Sequence, residues 1–254
     1  MNTKVGLTWR HWVLLLVVLG SLAWMLSLEP IAQNPAYHGF ADRRALLGIP
    51  NWLDVLSNLP FLFVGAFGWR FCVQGSLGTA GRAWAVLFAG VALTSAGSAY
   101  YHWSPNYDSL LWDRLPMTIG FMGLFAALAG EYLHERFGRL LLAPAVLLGF
   151  ASVLYWYRVD DLRFYYWVQS APLLSIPVFM VLFKSRYSHQ WVLLVAVAWY
   201  ALAKVTEAYD LAIFRGTGET ISGHTMKHLL AAAGCYSILW MLRTRRSVGT
   251  LDPA

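Results

Sequence analysis

The chain has 254 residues, 58% of them hydrophobic and only 13% charged, with 13 Trp, a mean hydropathy of +0.51 and a formal net charge of +6. A soluble domain carries about 25% charged residues. The shortfall excludes disorder, a coiled coil and a basic nucleic-acid-binding face, and leaves too few polar side chains to cover a water-soluble globule.

In chain order, long apolar runs cover roughly 12–28, 56–73, 83–101, 115–133, 140–157, 164–183 and 191–209, and a last one ends at Leu242. Most reach the roughly 17–25 residues that a helix needs to cross the hydrocarbon of a bilayer. Backbone groups find no water there, so a chain patterned this way folds as helices. The ten-residue alternation of a membrane barrel is absent. The expected fold is therefore an all-α, polytopic transmembrane bundle of eight helices, with no separate soluble domain.

The first run follows Lys4 and Arg10, as in a signal peptide. It is long for the apolar part of one, and no A-x-A-like cleavage site follows it, which leaves cleavage as the lesser alternative. It reads as an uncleaved anchor. The expected organisation is an N-terminal anchor helix and outer loop over 1–40, a core over 41–246 and a cytoplasmic tail over 247–254. Orientation follows from the basic residues at alternate ends. Lys4, Arg10, Arg70, Arg82, Arg136, Arg139, Lys184, Arg186, Arg243, Arg245 and Arg246 fall on one side, against Arg43, Arg44, Arg158, Arg163 and Arg215 on the other. The positive-inside bias then puts both termini in the cytoplasm of a multi-pass integral membrane protein, in a cell or inner membrane. The charge is a topological signal and calls for no acidic partner; no nucleic acid or protein partner is expected. Cys72 and Cys235 form no CxxC pair and read as small buried hydrophobes.

Ionisable residues inside spanning helices mark function by default. The third run ends Ser98-Ala99-Tyr100-Tyr101-His102, and the fourth is preceded by Asp113-Arg114. The apolar stretch 229–242 measures only about 21 Å as a helix. The last helix must therefore begin near Ser222, which draws His224 and His228 into the outer part of the membrane. Four residues apart, these two histidines share one helix face and make a two-ligand metal clamp. Ser98 and His102 repeat the spacing, and Asp113 starts the next helix at the same depth. Three imidazoles with an open position are a catalytic zinc set, beside which a carboxylate takes a proton and a hydroxyl donates to an oxyanion.

Other polar residues read as structural. His11, His38, His134 and His189 are interfacial, and Lys227 points away from the histidine face and snorkels. Asp108, Asp160 and Asp161 belong to solvated outer loops. Lys204, Glu207 and Asp210 fall at three-residue steps, so they form an intrahelical ion pair facing the bundle, or Lys204 and Glu207 line the rim of the site.

Ser98-x3-His102, Asp113 eleven residues on, and His224-x3-His228 resemble the signature shared by the alkaline ceramidases and the progestin/adipoQ receptors of the CREST superfamily of seven-helix membrane hydrolases. Ser57-Asn58-Leu59 also resembles the start of the first core helix in the ceramidases. The resemblance covers about 42–242, a seven-helix core to which the first run adds one extra N-terminal helix. It implies a zinc-dependent amide hydrolase acting on ceramide or a related N-acyl lipid and releasing a fatty acid and a long-chain amine. His102, His224 and His228 would hold Zn2+, Asp113 would be the general base and Ser98 would stabilise the oxyanion, near the outer leaflet. The acyl chain of the lipid substrate would lie in the bundle interior. The ceramidases also resemble one another in an acidic N-terminal calcium site. Here the matching stretch has one carboxylate and two arginines, which argues against Ca2+ and leaves only Asp42 and Asn51 as candidates. A receptor-like member with a sensing role, and a transporter or chromophore protein, are the competing readings. The core's first helix, starting outside, favours the hydrolase.

Overall fold

Each apolar run becomes helical in the computed structural model, which describes residues 7–75 and 77–248. The order is α1 (Trp9–Ser27), α2 (Trp52–Leu56), α3 (Leu59–Gln74), α4 (Gly81–Trp103), α5 (Tyr107–Tyr132), α6 (Glu135–Val159), α7 (Arg163–Leu182), α8 (Val192–Ala208), α9 (Asp210–Gly216) and α10 (Gly223–Thr244). Among the described residues, six spans are long and apolar enough to cross a membrane, α2 and α3 counting as one, and the pair α8–α9, bent by 80°, brings the number to at most seven. The eighth expected span, α10, has the length: its 22 residues extend about 33 Å. Apolarity alone does not qualify it, because His224, Lys227 and His228 occupy its first turns.

Local chemistry sets the boundaries. Asn106 and Ser109 form a reciprocal capping box at the start of α5, satisfying two amides that a helix leaves free. Ser222 caps α10 by accepting from the Thr225 amide at 2.9 Å, which starts that helix where its length demanded. Ser57 and Asn58 separate α2 from α3, and Pro60 stands in the first turn of α3, where its missing N–H costs nothing. The polar Ser57-Asn58 break inside an apolar stretch is therefore built in.

Packing follows from small residues. α4 lies between α3 and α5, and two glycines let the α4 and α5 backbones approach. A methyl at Gly97 would sit 2.2 Å from the Trp112 carbonyl oxygen, and one at Gly123 would sit 2.6 Å from the Leu87 nitrogen. These are backbone atoms that cannot swing aside. Gly123→Val is expected to cost about 1–3 kcal/mol of stability, read as a lower thermal midpoint in detergent. An unchanged midpoint would show that the two helices separate freely.

α1 packs on α7, where the Trp167 indole donates to the Val18 carbonyl at 3.1 Å. Antiparallel succession of the long helices brings the C-terminal ends of α4 and α8 to the same end of the bundle as α2 and the N-terminal ends of α5 and α10. The chemistry collects there.

Candidate metal centre and its cavity

α4 delivers His102, and α10 delivers His224 and His228 one turn apart. One nitrogen from each ring lies within 4.8 Å of the others. The His102 and His224 Nε2 atoms are 3.3 Å apart, the edge of a tetrahedron whose metal–nitrogen bonds are about 2.0–2.1 Å. All three residues are at most 4% exposed. Two observations fit a metal. His228 Nε2 is buried with no hydrogen-bond partner, an expensive state for an imidazole nitrogen unless something else binds it. His228 Nδ1 lies 2.7 Å from the Ser57 hydroxyl, which donates to the Asp54 carbonyl at 3.1 Å. With its proton so committed, Ser57 accepts from Nδ1–H, and the Nε2 lone pair is left to face the other imidazoles.

A buried scaffold holds the rings. Asp54 is fully buried and accepts from the Thr225 hydroxyl at 2.6 Å and the Ser222 hydroxyl at 3.3 Å, tying α2 to the start of α10. Asp210 caps the His224 amide at 2.7 Å through one oxygen and the Ala41 amide at 2.9 Å through the other. Phe40 packs its ring against His102 and His224, with centroids 4.6 and 4.8 Å away. His102 is oriented by this packing, and its main-chain carbonyl accepts from Asn51 Nδ2 at 2.8 Å.

Ser98 and Asp113 are buried beside the trio, with the Ser98 side chain facing the Asp113 carboxylate. Both line a polar cavity of about 110 Å³ together with His228. An apolar cavity of about 130 Å³ lies deeper in the bundle. Phe61, Thr94, Met117, Tyr200 and Ala231 are walls of both. The arrangement is a trio of imidazoles placed to hold a metal, bordering through His228 a polar cavity that also contains an acid and a hydroxyl and shares walls with an apolar one.

The structure thus brings together Ser98, His102, Asp113, His224 and His228. It also sharpens the rim. Lys204 and Glu207 pair as an i,i+3 couple whose carboxylate also accepts from Lys227 at 3.1 Å and from the Tyr37 hydroxyl at 3.2 Å. Both line the polar cavity. Asp210 stands apart from this pair as a cap. Lys227 overturns its sequence reading: its Nζ is 2.7 Å from His224 Nε2, because residues three apart on a helix are neighbours and a long side chain bridges them. Asp161 is buried, not solvated, and Arg163 pairs with it at 2.7 Å; that guanidinium holds its carboxyl below the ordinary value. At the suggested calcium stretch, Arg44 occupies both oxygens of Asp42 and Asn51 is committed to His102. A single, already neutralised carboxylate does not fit a calcium cage.

Phe40, Asp54 and Ser57 were missed in the sequence. The signal for the last two was the polar interruption 54–58 in an apolar run. Phe40 has none, since nothing in a loop announces which ring faces the bundle.

Residues 48–250 match the family model described as Ceramidase. No curated protein matches the chain.

Proposed function

The chain belongs to the ceramidase family, and from that premise and the site's geometry we propose that it is a zinc-dependent amide hydrolase of ceramide or a related N-acyl lipid. The observation that carries the proposal is the buried trio of imidazoles bordering, through His228, a polar cavity that holds an acid and a hydroxyl and shares walls with an apolar one. His102, His224 and His228 would hold the zinc. Bound there, zinc supplies Lewis acidity and makes a water acidic near neutral pH.

The chain's own groups do the rest. Asp113 accepts the proton of the attacking water. Ser98 stands beside this carboxylate on the same cavity wall. Once Asp113 is protonated it can donate to Ser98, whose own proton is then free for the oxygen of the amide as charge grows on it. Asp113 next gives its proton to the leaving amine. Lys227 cannot share His224 Nε2 with another cation, and Glu207 already offers it an acceptor at 3.1 Å. The acyl chain lies in the apolar cavity. The charge bias puts both termini in the cytoplasm and the site near the outer leaflet of a cell or inner membrane.

The test is fatty-acid release from an N-acyl sphingoid by the purified chain in detergent. Release that is lost on chelation and restored by zinc is expected; the absence of release from this and related lipid amides refutes the proposal. Sustained turnover separates it from a sensing member, and a colourless protein separates it from a pigment. A smaller effect is expected at Ser57. Ser57→Ala removes the partner of His228 Nδ1 and should weaken zinc affinity roughly 10–100-fold, measured by competition with a chelator. Unchanged affinity would show that packing alone orients the ring.

A further inference from the structure

The polar cavity contains a positive charge that the proposed hydrolysis leaves unused. Arg114 follows Asp113 on α5, is only 4% exposed and lines the cavity. Its Nη2 donates to Gln33 Oε1 at 2.7 Å, and its Nη1 is buried with no hydrogen-bond partner. The guanidinium lies 4.0 Å from the Trp156 ring centroid, 4.8 Å from that of Tyr165 and 5.8 Å from that of Tyr37. Ring stacking satisfies the faces of a guanidinium. It does nothing for the N–H groups in its plane.

The surrounding charges do not neutralise it. Among the described residues Arg114 forms no ion pair. Glu207 is taken by Lys204 and Lys227, and Asp113, the preceding residue on α5, attracts Arg114 through space but forms no ion pair with it. The wall thus carries three basic side chains, Arg114, Lys204 and Lys227, against two acids, Asp113 and Glu207. The excess charge is felt outside the spans: burial and then Arg114 hold the His38 imidazole below its ordinary pKa. A buried cation without a counter-charge is costly, and a guanidinium fork matches a carboxylate, phosphate or sulfonate.

On the hydrolase reading above, we propose that the preferred substrate is not ceramide itself but a related N-acyl lipid whose amine half bears an anionic group. Arg114 receives that group in the polar cavity, and the acyl chain runs through the shared walls into the apolar one. A neutral head group leaves Nη1 unpaired, so Arg114 is a specificity-determining residue and not a structural one.

The test compares binding of three probes with one acyl chain to the full-length, chelator-treated protein in uncharged detergent: N-oleoylglycine, N-oleoylethanolamine and oleate. The carboxylate amide is expected to bind at least about tenfold tighter than the neutral amide, a difference of about 1.4 kcal/mol. That ratio should collapse in Arg114→Gln, recover in part in Arg114→Lys, and persist in Arg215→Gln. Equal binding of the two amides by the unmodified protein overturns the proposal without any variant. So does an equal dependence of oleate on Arg114, which would assign the charge to the fatty-acid product. Binding is read without turnover. A protein that binds the anionic amide tightly but cleaves no amide keeps its anion site and loses the hydrolase reading; one that cleaves neutral amides as fast as anionic ones keeps the hydrolase and loses this site.

Discussion

Replacing His228 with alanine is expected to empty the chain of zinc and to abolish fatty-acid release. The ring contributes one nitrogen of the trio, and its Nε2 is buried with no hydrogen-bond partner among the described residues. Loss of a supporting hydrogen bond already costs roughly 10–100-fold in metal affinity, so loss of the ligand itself should exceed that. His224→Ala should do the same, whereas His134→Ala, at the cap of α6, should keep both metal and activity. Metal analysis of protein purified without chelator reads the result directly. Zinc at one per chain in His228→Ala would remove the trio from the account.

Asp113→Asn is expected to separate binding of the metal from its use. Asparagine keeps the shape beside Ser98 but cannot take a proton. General-base catalysis contributes about 10²–10⁴-fold, so turnover should fall by that factor with zinc content intact. A variant within tenfold of the unmodified rate would mean that another group accepts the proton. Glu207 would then be the next carboxylate to test, since it lines the same cavity.

Much of this was legible in the chain because membranes simplify the code. Apolar length gave the helices, and the deficit of apolar residues before Leu229 gave the true start of α10. The spacings Ser98-x3-His102 and His224-x3-His228 needed only helical periodicity to become faces, and alternation of direction placed them at one end. What escaped depends on side-chain reach and on loops. Lys227 was taken to leave the face that His224 occupies, yet its Nζ comes within 2.7 Å of that ring. Arg114 was passed over as a neighbour of Asp113, since nothing in the order of residues reveals that Gln33 satisfies only one of its amino groups. Phe40 lies in a segment with no periodicity. The glycine contacts at 97 and 123 escaped as well, because each meets backbone on its own with no repeating spacing to announce it.

The site is sewn together from opposite ends of the polypeptide. Ser57 meets His228 and Asp54 meets Thr225 across 171 positions, and Ala41 meets Asp210 across 169. Two of the three imidazoles lie on α10, the last helix among the described residues. While a ribosome is still extending the chain, the inserted portion carries His102 alone and cannot assemble the trio. On the proposed function, newly made protein cannot act on the lipids around it until translation has passed His228.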